Sequence, residues 1–169
     1  MTHPGRVYLG LGSNLGDREG NLHDAIEALR HEPGFVYLNR ASIYRTSALG
    51  PNAGDEFRNT VVAGLWSGSP ESPLDLCHRI EARCGRDRPY RWAPRTLDID
   101  ILFWDGVEMS TPCLRIPHPD LCQRAFALVP LLELAPDLFG DDGCSLDASL
   151  TGELLGQGIE AVSTGACRV

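Results

Sequence analysis

The segment Leu97–Trp104 constrains the fold of this chain most, because it alternates like a half-buried β-strand. Its odd-numbered residues are all apolar and would face a core, whereas Asp98 and Asp100 would share the opposite face. At a rise of about 3.3 Å per residue, these two carboxylates lie about 6.6 Å apart. Two like charges that close favour a cation between them. The pattern therefore indicates a metal site, and a solvated face neutralised by neighbouring arginines is the alternative.

An unusual density of arginine precedes this strand. Residues 79–95 contain six arginines and two acids, a local charge of +4 in a chain whose formal net charge is −8. Guanidinium groups bind phosphate through forked N–H donors, and carboxylates bind hard metal ions. Phosphoryl transfer uses both kinds of group together. All 15 basic residues are arginine, which excludes a Walker P-loop and a Schiff-base lysine.

Composition bounds the remaining classes of function. A chain of 169 residues with 43% hydrophobic content is expected to form one globular domain with a core of its own. The negative net charge argues against a nucleic-acid partner, and the lack of an 18-residue apolar run argues against a membrane span. The first six residues do not read as a secretion signal, so we expect a cytoplasmic protein. None of the six cysteines forms a C-x-x-C pair, which makes zinc an improbable ligand and reduced thiols the better interpretation.

Hydrophobic periodicity and turn residues predict an α+β fold. Strands are expected at Val7–Leu11, Phe35–Tyr44, Phe57–Trp66 and Leu97–Trp104, and helices at Asn21–Arg30, from Ser72 to Gly85, and at Arg124–Leu134. This order predicts a ferredoxin-like sandwich, an antiparallel sheet with helices packed on one face. Residues 1–139 would form this domain. Residues 140–169, with six glycines and a net charge of −4, would be an acidic extension whose deletion from about residue 158 leaves activity unchanged.

Four further residues are candidates for ligand contact. Phe57 and Asn59 share one strand face, where the ring could stack on a flat heterocycle and the amide could form hydrogen bonds to its edge. The alternative is that Phe57 is a core residue and Asn59 ends the strand. Glu81 lies at the edge of an apolar helical stripe, where its carboxylate needs an arginine or a ribose hydroxyl as partner. His118 lies between two prolines and is either a ligand contact or an inert loop residue. The glycines at 10, 12 and 16 are spaced G-x-G-x-x-x-G, which differs from a dinucleotide fingerprint and predicts a strand end with a tight turn.

The motif Arg-Trp-Ala-Pro-Arg-Thr-Leu-Asp-Ile-Asp-Ile-Leu at residues 91–102 resembles the signature of the 6-hydroxymethyl-7,8-dihydropterin pyrophosphokinases of folate biosynthesis. The resemblance covers roughly residues 5–139, with supporting matches at 9–16, 44–51, 57–59, 85–88 and 117–126. It implies an enzyme that transfers pyrophosphate from ATP to the hydroxymethylpterin and releases AMP. It also implies small-molecule partners, and we expect a monomer. Mobile loops are expected over the active site, because the four arginines between residues 86 and 95 would repel one another without a ligand.

Position by position, the resemblance also implies roles for individual residues. Asp98 and Asp100 would hold two Mg²⁺ ions and act in catalysis with Arg86, Arg88 and Arg95. The ATP contacts would be Glu81, Arg88, Arg91, Trp92, Arg95, His118 and Arg124. The pterin contacts would be Thr46, Leu49, Phe57, Asn59 and Phe126, with the two phenylalanines on opposite faces of the ring.

Two other classes of function remain open at this stage. A ferredoxin-like RNA-binding module is disfavoured by the net charge and by the lack of an aromatic RNP strand. A catalytically inactive pterin or nucleotide sensor is disfavoured only by the intact pair of aspartates. AMP formation from ATP and the pterin distinguishes all three.

Overall fold

A six-stranded antiparallel sheet is the main element of the computed structural model, which describes residues 5–47, 55–68, 71–85, 96–140 and 143–163. Its strands are β1 (Gly5–Ser13), β2 (Phe35–Arg40), β3 (Ile43–Thr46), β4 (Phe57–Trp66), β5 (Asp98–Trp104) and β8 (Ile159–Ser163). The helices are α1 (Arg18–Arg30), α2 (Glu71–Arg83), α3 (Ala125–Leu134) and α4 (Gly152–Leu155), and β6 (Met109–Ser110) and β7 (Arg115–Ile116) form a separate hairpin. The strands lie in the order β5-β1-β4-β3-β8, and β2 also pairs with β4. The predicted α+β class is therefore confirmed.

Helices cover both faces of this sheet. On one face Leu9 and Leu11 of β1 pack with the buried residues of α1 and α2, and on the other Tyr8 packs with those of α3. The prediction that the helices lie on a single face is therefore wrong. The sequence did contain the signal, because β4 reads as an almost continuous apolar run from residue 61 to 66 and α3 is apolar on nearly all sides.

Several element boundaries differ from the predicted ones by one or two residues, and two differ by more. The expected strand Phe35–Tyr44 is two strands, because β2 and β3 pair with different parts of β4 and Ala41 and Ser42 lie between them. Helix α1 begins at Arg18, three residues before the predicted start, and the Gly20 amide donates to the side chain of its N-cap, Asp17, at 3.0 Å. None of the described helices combines the length and the apolarity that a membrane crossing requires.

The C-terminal segment contributes to the main sheet. Strand β8 pairs with β3, and Leu146 and Leu154 are buried in the core cluster that contains α3. Ile159 packs against the same cluster, whereas Val162 is exposed. The described residues after 142 are thus integrated with the sheet of residues 1–139. The expected neutral effect of a deletion from about residue 158 stays a prediction, and the pairing of β8 with β3 does not support it.

Candidate active site

A cavity of about 470 Å³ lies between the sheet and α3. The sheet contributes residues of β1, β3, β4 and β5, and the opposite wall is formed by the segment that leads into α3 and by the first turn of that helix. The cavity brings together many of the residues predicted from sequence, namely Thr46, Phe57, Asn59, Asp98, Asp100, Arg124 and Phe126.

Two glycines of β1 form the floor of the cavity. In the register of the sheet Gly12 lies opposite Asp98 on one side and Asn59 on the other, and Gly10 lies opposite Asp100. A Cβ atom on Gly12 would lie 2.7 Å from Asn59 Oδ1, so a larger residue would occupy space that the cavity now contains. Sequence reasoning assigned these glycines to a strand end and turn. Their spacing of two within a strand was the signal that they share one face.

The amide side of the cavity is held in a fixed orientation. Asn59 and Thr46 are both buried, and Asn59 Nδ2 donates to Thr46 Oγ1 at 2.7 Å. Phe57 is the register partner of Thr46, and Phe126 lies on the opposite wall. An oriented amide close to two aromatic rings can bind a flat ring by stacking and by hydrogen bonds to its edge.

The acidic side of the cavity lies on β5. Asp98 and Asp100 are half-buried, lie on the same strand face, and line the cavity together. Within the described parts of the chain, no group of three or more His, Cys, Asp or Glu side chains could hold a metal ion. Two carboxylates nevertheless fit Mg²⁺, which commonly takes one or two from a protein and the rest of its ligands from phosphates and water.

Glu81 on α2 makes a hydrogen bond to the backbone of β5. Its side chain is buried, and its Oε1 accepts a hydrogen bond of 2.7 Å from the amide of Ile99, between the two aspartates. The structure therefore gives Glu81 a backbone partner, which sequence reasoning had not considered. Its contact with the nucleotide stays a prediction.

Cys77 lies one helical turn before Glu81 and is buried. Burial together with the negative charge of Asp100 raises the pKa of its thiol to about 12. Cys77 is therefore a protonated, unreactive thiol at neutral pH.

The loop before α3 carries His118 and Arg124. The His118 amide donates to the Leu102 carbonyl at the end of β5, at 2.9 Å. The Nδ1 atom of His118 accepts from the Asp120 amide at 3.2 Å, so Nε2 is the ring nitrogen that can donate to a ligand. Arg124 pairs with Asp120 at 2.7 Å, and its guanidinium lies 5.7 Å from the centre of the Phe126 ring. His118 lines a neighbouring cavity of about 540 Å³ rather than the first one.

Several predicted site residues lie outside the described part of the chain. They are Leu49 among the pterin contacts, and Arg86, Arg88, Arg91, Trp92 and Arg95 among the catalytic and ATP contacts. Their roles stay predictions.

The described residues form an α+β protein with a cavity that joins an acidic strand to a buried amide and two aromatic rings. A model of the 7,8-dihydro-6-hydroxymethylpterin-pyrophosphokinase (HPPK) family matches residues 8–136, and the chain belongs to this family. It is 45% identical over 133 residues to a 2-amino-4-hydroxy-6-hydroxymethyldihydropteridine pyrophosphokinase of Methylorubrum extorquens, covering 79% of this chain and 84% of the relative. The corresponding protein of Bacillus subtilis is 39% identical over 128 residues, covering 76% of this chain and 77% of the relative.

Longer proteins also contain a region similar to this chain. The bifunctional protein FolKE of Lactococcus lactis is 37% identical over 128 residues, which cover 76% of this chain and 37% of that protein. A solved HPPK-DHPS in complex with substrates matches with a TM-score of 0.69 at 12% identity, over 92% of this chain and 44% of that chain. Wild-type HPPK-DHPS of Plasmodium falciparum with pteroate matches with a TM-score of 0.65 at 13% identity, over 88% and 44%. These two structures share the fold, and this chain spans less than half of their length.

Proposed function

We propose that this chain transfers the terminal diphosphate of ATP to the hydroxymethyl group of 6-hydroxymethyl-7,8-dihydropterin, giving the pterin diphosphate and AMP in folate biosynthesis. The observation that carries this proposal is that one cavity contains both the carboxylates of Asp98 and Asp100 and, across a floor of glycines, Phe57 and Asn59. Membership of the HPPK family and the names of the relatives at 39–45% identity support the same reaction.

The aromatic and amide side of the cavity would bind the pterin. Phe57 and Phe126 would stack on opposite faces of the ring, since both line the cavity from different walls. The Asn59 amide would read the edge of the ring, because its hydrogen bond to Thr46 fixes which atoms it presents. The backbone from Thr46 to Leu49 would complete this edge.

The acidic side would bind the triphosphate. Asp98 and Asp100 would hold two Mg²⁺ ions, which when bound neutralise the phosphate oxygens and polarise the β-phosphorus for attack. The pterin hydroxymethyl oxygen bonds to the β-phosphorus and releases its proton to water. The bond from that phosphorus to the α,β-bridging oxygen breaks, and AMP leaves with the bridging oxygen. The carboxylates act by position and charge, and the cavity aligns the attacking oxygen with the leaving group.

The remaining contacts would place the nucleotide and close the site. Arg86, Arg88, Arg91, Arg95 and Arg124 would contact phosphates, and Glu81, Trp92 and His118 would lie along the nucleotide. For Arg124 the support is its place in the cavity wall, and for His118 it is the hydrogen bond to β5. The segment 86–95 would be a mobile loop that excludes water on closure. The strand order supports a ferredoxin-like sandwich. We further propose a cytoplasmic monomer.

Product analysis tests this function. The purified chain with ATP, Mg²⁺ and 6-hydroxymethyl-7,8-dihydropterin should form AMP and the pterin diphosphate in equal amounts. EDTA should stop the reaction. Formation of ADP, or binding of both ligands without any AMP, would contradict the proposal, and the second result would identify a sensor instead.

A further inference from the structure

The C-terminal segment makes direct hydrogen bonds to the wall of the cavity that carries Phe126. Gln157 Oε1 accepts from the Ala125 amide at 3.1 Å, and Gln157 Nε2 donates to the Gln123 carbonyl at 3.0 Å. Gln123, Arg124 and Phe126 all line the cavity. One side chain thus binds the backbone on both sides of Arg124, at the bend between the 3-10 turn Leu121–Gln123 and α3.

Local contacts at this bend include the ion pair of Arg124 with Asp120, but the first turn of α3 is incompletely capped. Arg124 is the N-cap of α3 and makes no capping hydrogen bond with its side chain. Pro130 lies inside the helix and has no N–H to donate to the Phe126 carbonyl four residues earlier. The first turn of α3 therefore lacks one hydrogen bond of a regular helix and the usual side-chain cap. Gln157 supplies an acceptor for the amide of its first residue.

The same segment also holds the facing part of the sheet. Two residues after Gln157, β8 begins and pairs with β3, so that Ile159 lies opposite Thr46 in the register. Gly158 has a φ of +79°, and a Cβ atom built on it would lie 3.4 Å from Ser47 Oγ. Residues 157–159 therefore contact both the Thr46–Ser47 side and the Phe126 side of the cavity.

A second connection between these two walls comes from α3 itself. Glu133 near the end of α3 accepts hydrogen bonds from Ser42, from its amide at 3.0 Å and its hydroxyl at 2.9 Å, and from Tyr44 Oη at 2.7 Å. Glu133 fixes the C-terminal end of α3 to β3, and Gln157 fixes its N-terminal end. Only the N-terminal connection lies beside the residues that line the cavity.

We propose that Gln157 is a positioning residue for the pterin site, which sets the distance between Phe126 and the sheet by holding the backbone at Gln123 and Ala125. This inference rests on the proposed function, because it takes the cavity to be the pterin site. It assigns a role in substrate binding to a residue outside the stretch 8–136 that the family model matches.

The variant Gln157→Met tests the proposal, since it keeps the length of the side chain and removes both polar atoms. The dissociation constant of hydroxymethyldihydropterin is measured by calorimetry at 25 °C with a non-hydrolysable ATP analogue present. We expect it to rise about three- to tenfold, the range that a loss of one or two such hydrogen bonds produces. The pterin KM should rise in the same proportion, and amide exchange at residues 125–128 should become faster.

Ile26→Val is the matched control. Ile26 is a buried residue of α1 on the other face of the sheet, so this variant lowers the unfolding temperature without touching the cavity. Its pterin affinity should equal that of the wild type. Unchanged pterin affinity in Gln157→Met, or an equal loss in Ile26→Val, would overturn the positioning role. If the wild type binds pterin but forms no AMP, the proposed reaction fails and the Gln157 comparison still stands. A wild type that binds no pterin removes both proposals.

Discussion

The two walls of the cavity are built in different ways. The sheet wall carries Gly12, Asn59 and Asp98 at one level of three adjacent strands, where backbone ladders fix their spacing. The α3 wall carries Arg124 and Phe126 at a bend that is held by two side-chain contacts, one from the distant Gln157 and one between Arg124 and the nearby Asp120. A ladder fixes many residues together, whereas a side-chain contact can be removed singly. We therefore expect single changes on the sheet wall to cost at least as much activity or ligand affinity as single changes on the α3 wall.

The largest effect is expected on the acidic strand. Asp98→Asn and Asp100→Asn should each lower turnover by about 10²- to 10⁴-fold, because each removes a negative charge that would hold a metal ion against the phosphates. Circular dichroism and the unfolding temperature should change little, since both side chains are only half-buried. Asp137→Asn, an exposed acid after α3, serves as the control and should be fully active. Unchanged turnover in both strand variants would remove the metal site.

The next largest effect after the aspartate variants is expected from Gly12→Ala. Its Cβ would lie 2.7 Å from Asn59 Oδ1, and such overpacking costs about 1–3 kcal/mol. We expect weaker pterin binding by a comparable free energy, measured by calorimetry. Gly152→Ala is the control, because its Cβ would enter open space. Equal pterin affinity in the two variants would show that a side chain at residue 12 does not take space that the pterin ring needs.

On the other wall, Phe126→Ala should weaken pterin binding by about 1–3 kcal/mol, as loss of a stacking ring does in other systems. The affinity for an ATP analogue should hardly change. Titrations of each ligand separately measure the two values. An equal loss for both ligands would show that Phe126 is a core residue and not a stacking partner.

The smallest effect is expected where the C-terminal end of α3 binds β3, away from the cavity. Tyr44 donates to Glu133, and burial followed by this hydrogen bond raises the pKa of Tyr44 above its ordinary value of 10.0. A raised pKa means that the neutral phenol stabilises the fold below pH 10 and that this stability is lost as pH rises further. Tyr44→Phe should lose about 0.5–1.5 kcal/mol of unfolding free energy at pH 7 and show a weaker decline above pH 10. Denaturant titrations at several pH values measure both, and parallel declines in the two proteins would contradict the role of this hydroxyl.

The same contrast explains which features sequence reasoning could predict. Strand β4 was predicted with its observed limits, and the shared face of Asp98 and Asp100 followed from strand alternation. Both are local patterns. The hydrogen bond from the Ile99 amide to Glu81 joins residues 18 positions apart, and that from the Ala125 amide to Gln157 joins residues 32 positions apart. Such pairs have no signature in a single sequence, because only the packed fold brings them together.

The break between β2 and β3 and the strand β8 were missed for a related reason. Residues 35–44 have the composition of one continuous strand, and only pairing with separate parts of β4 divides them. Strand β8 follows a glycine-rich segment and is short, so its sequence gives little strand signal. Its place beside β3 depends on a sheet edge that the rest of the chain provides.

The most direct measurement is an experimental structure of the chain with hydroxymethyldihydropterin, Mg²⁺ and a non-hydrolysable ATP analogue. We expect the pterin ring between Phe57 and Phe126 with Asn59 at its edge, and metal ions on Asp98 and Asp100. The Gln157 side chain should still bind the backbone on both sides of Arg124. A pterin ring bound elsewhere, for instance in the neighbouring cavity lined by His118, would contradict the assignment of the site.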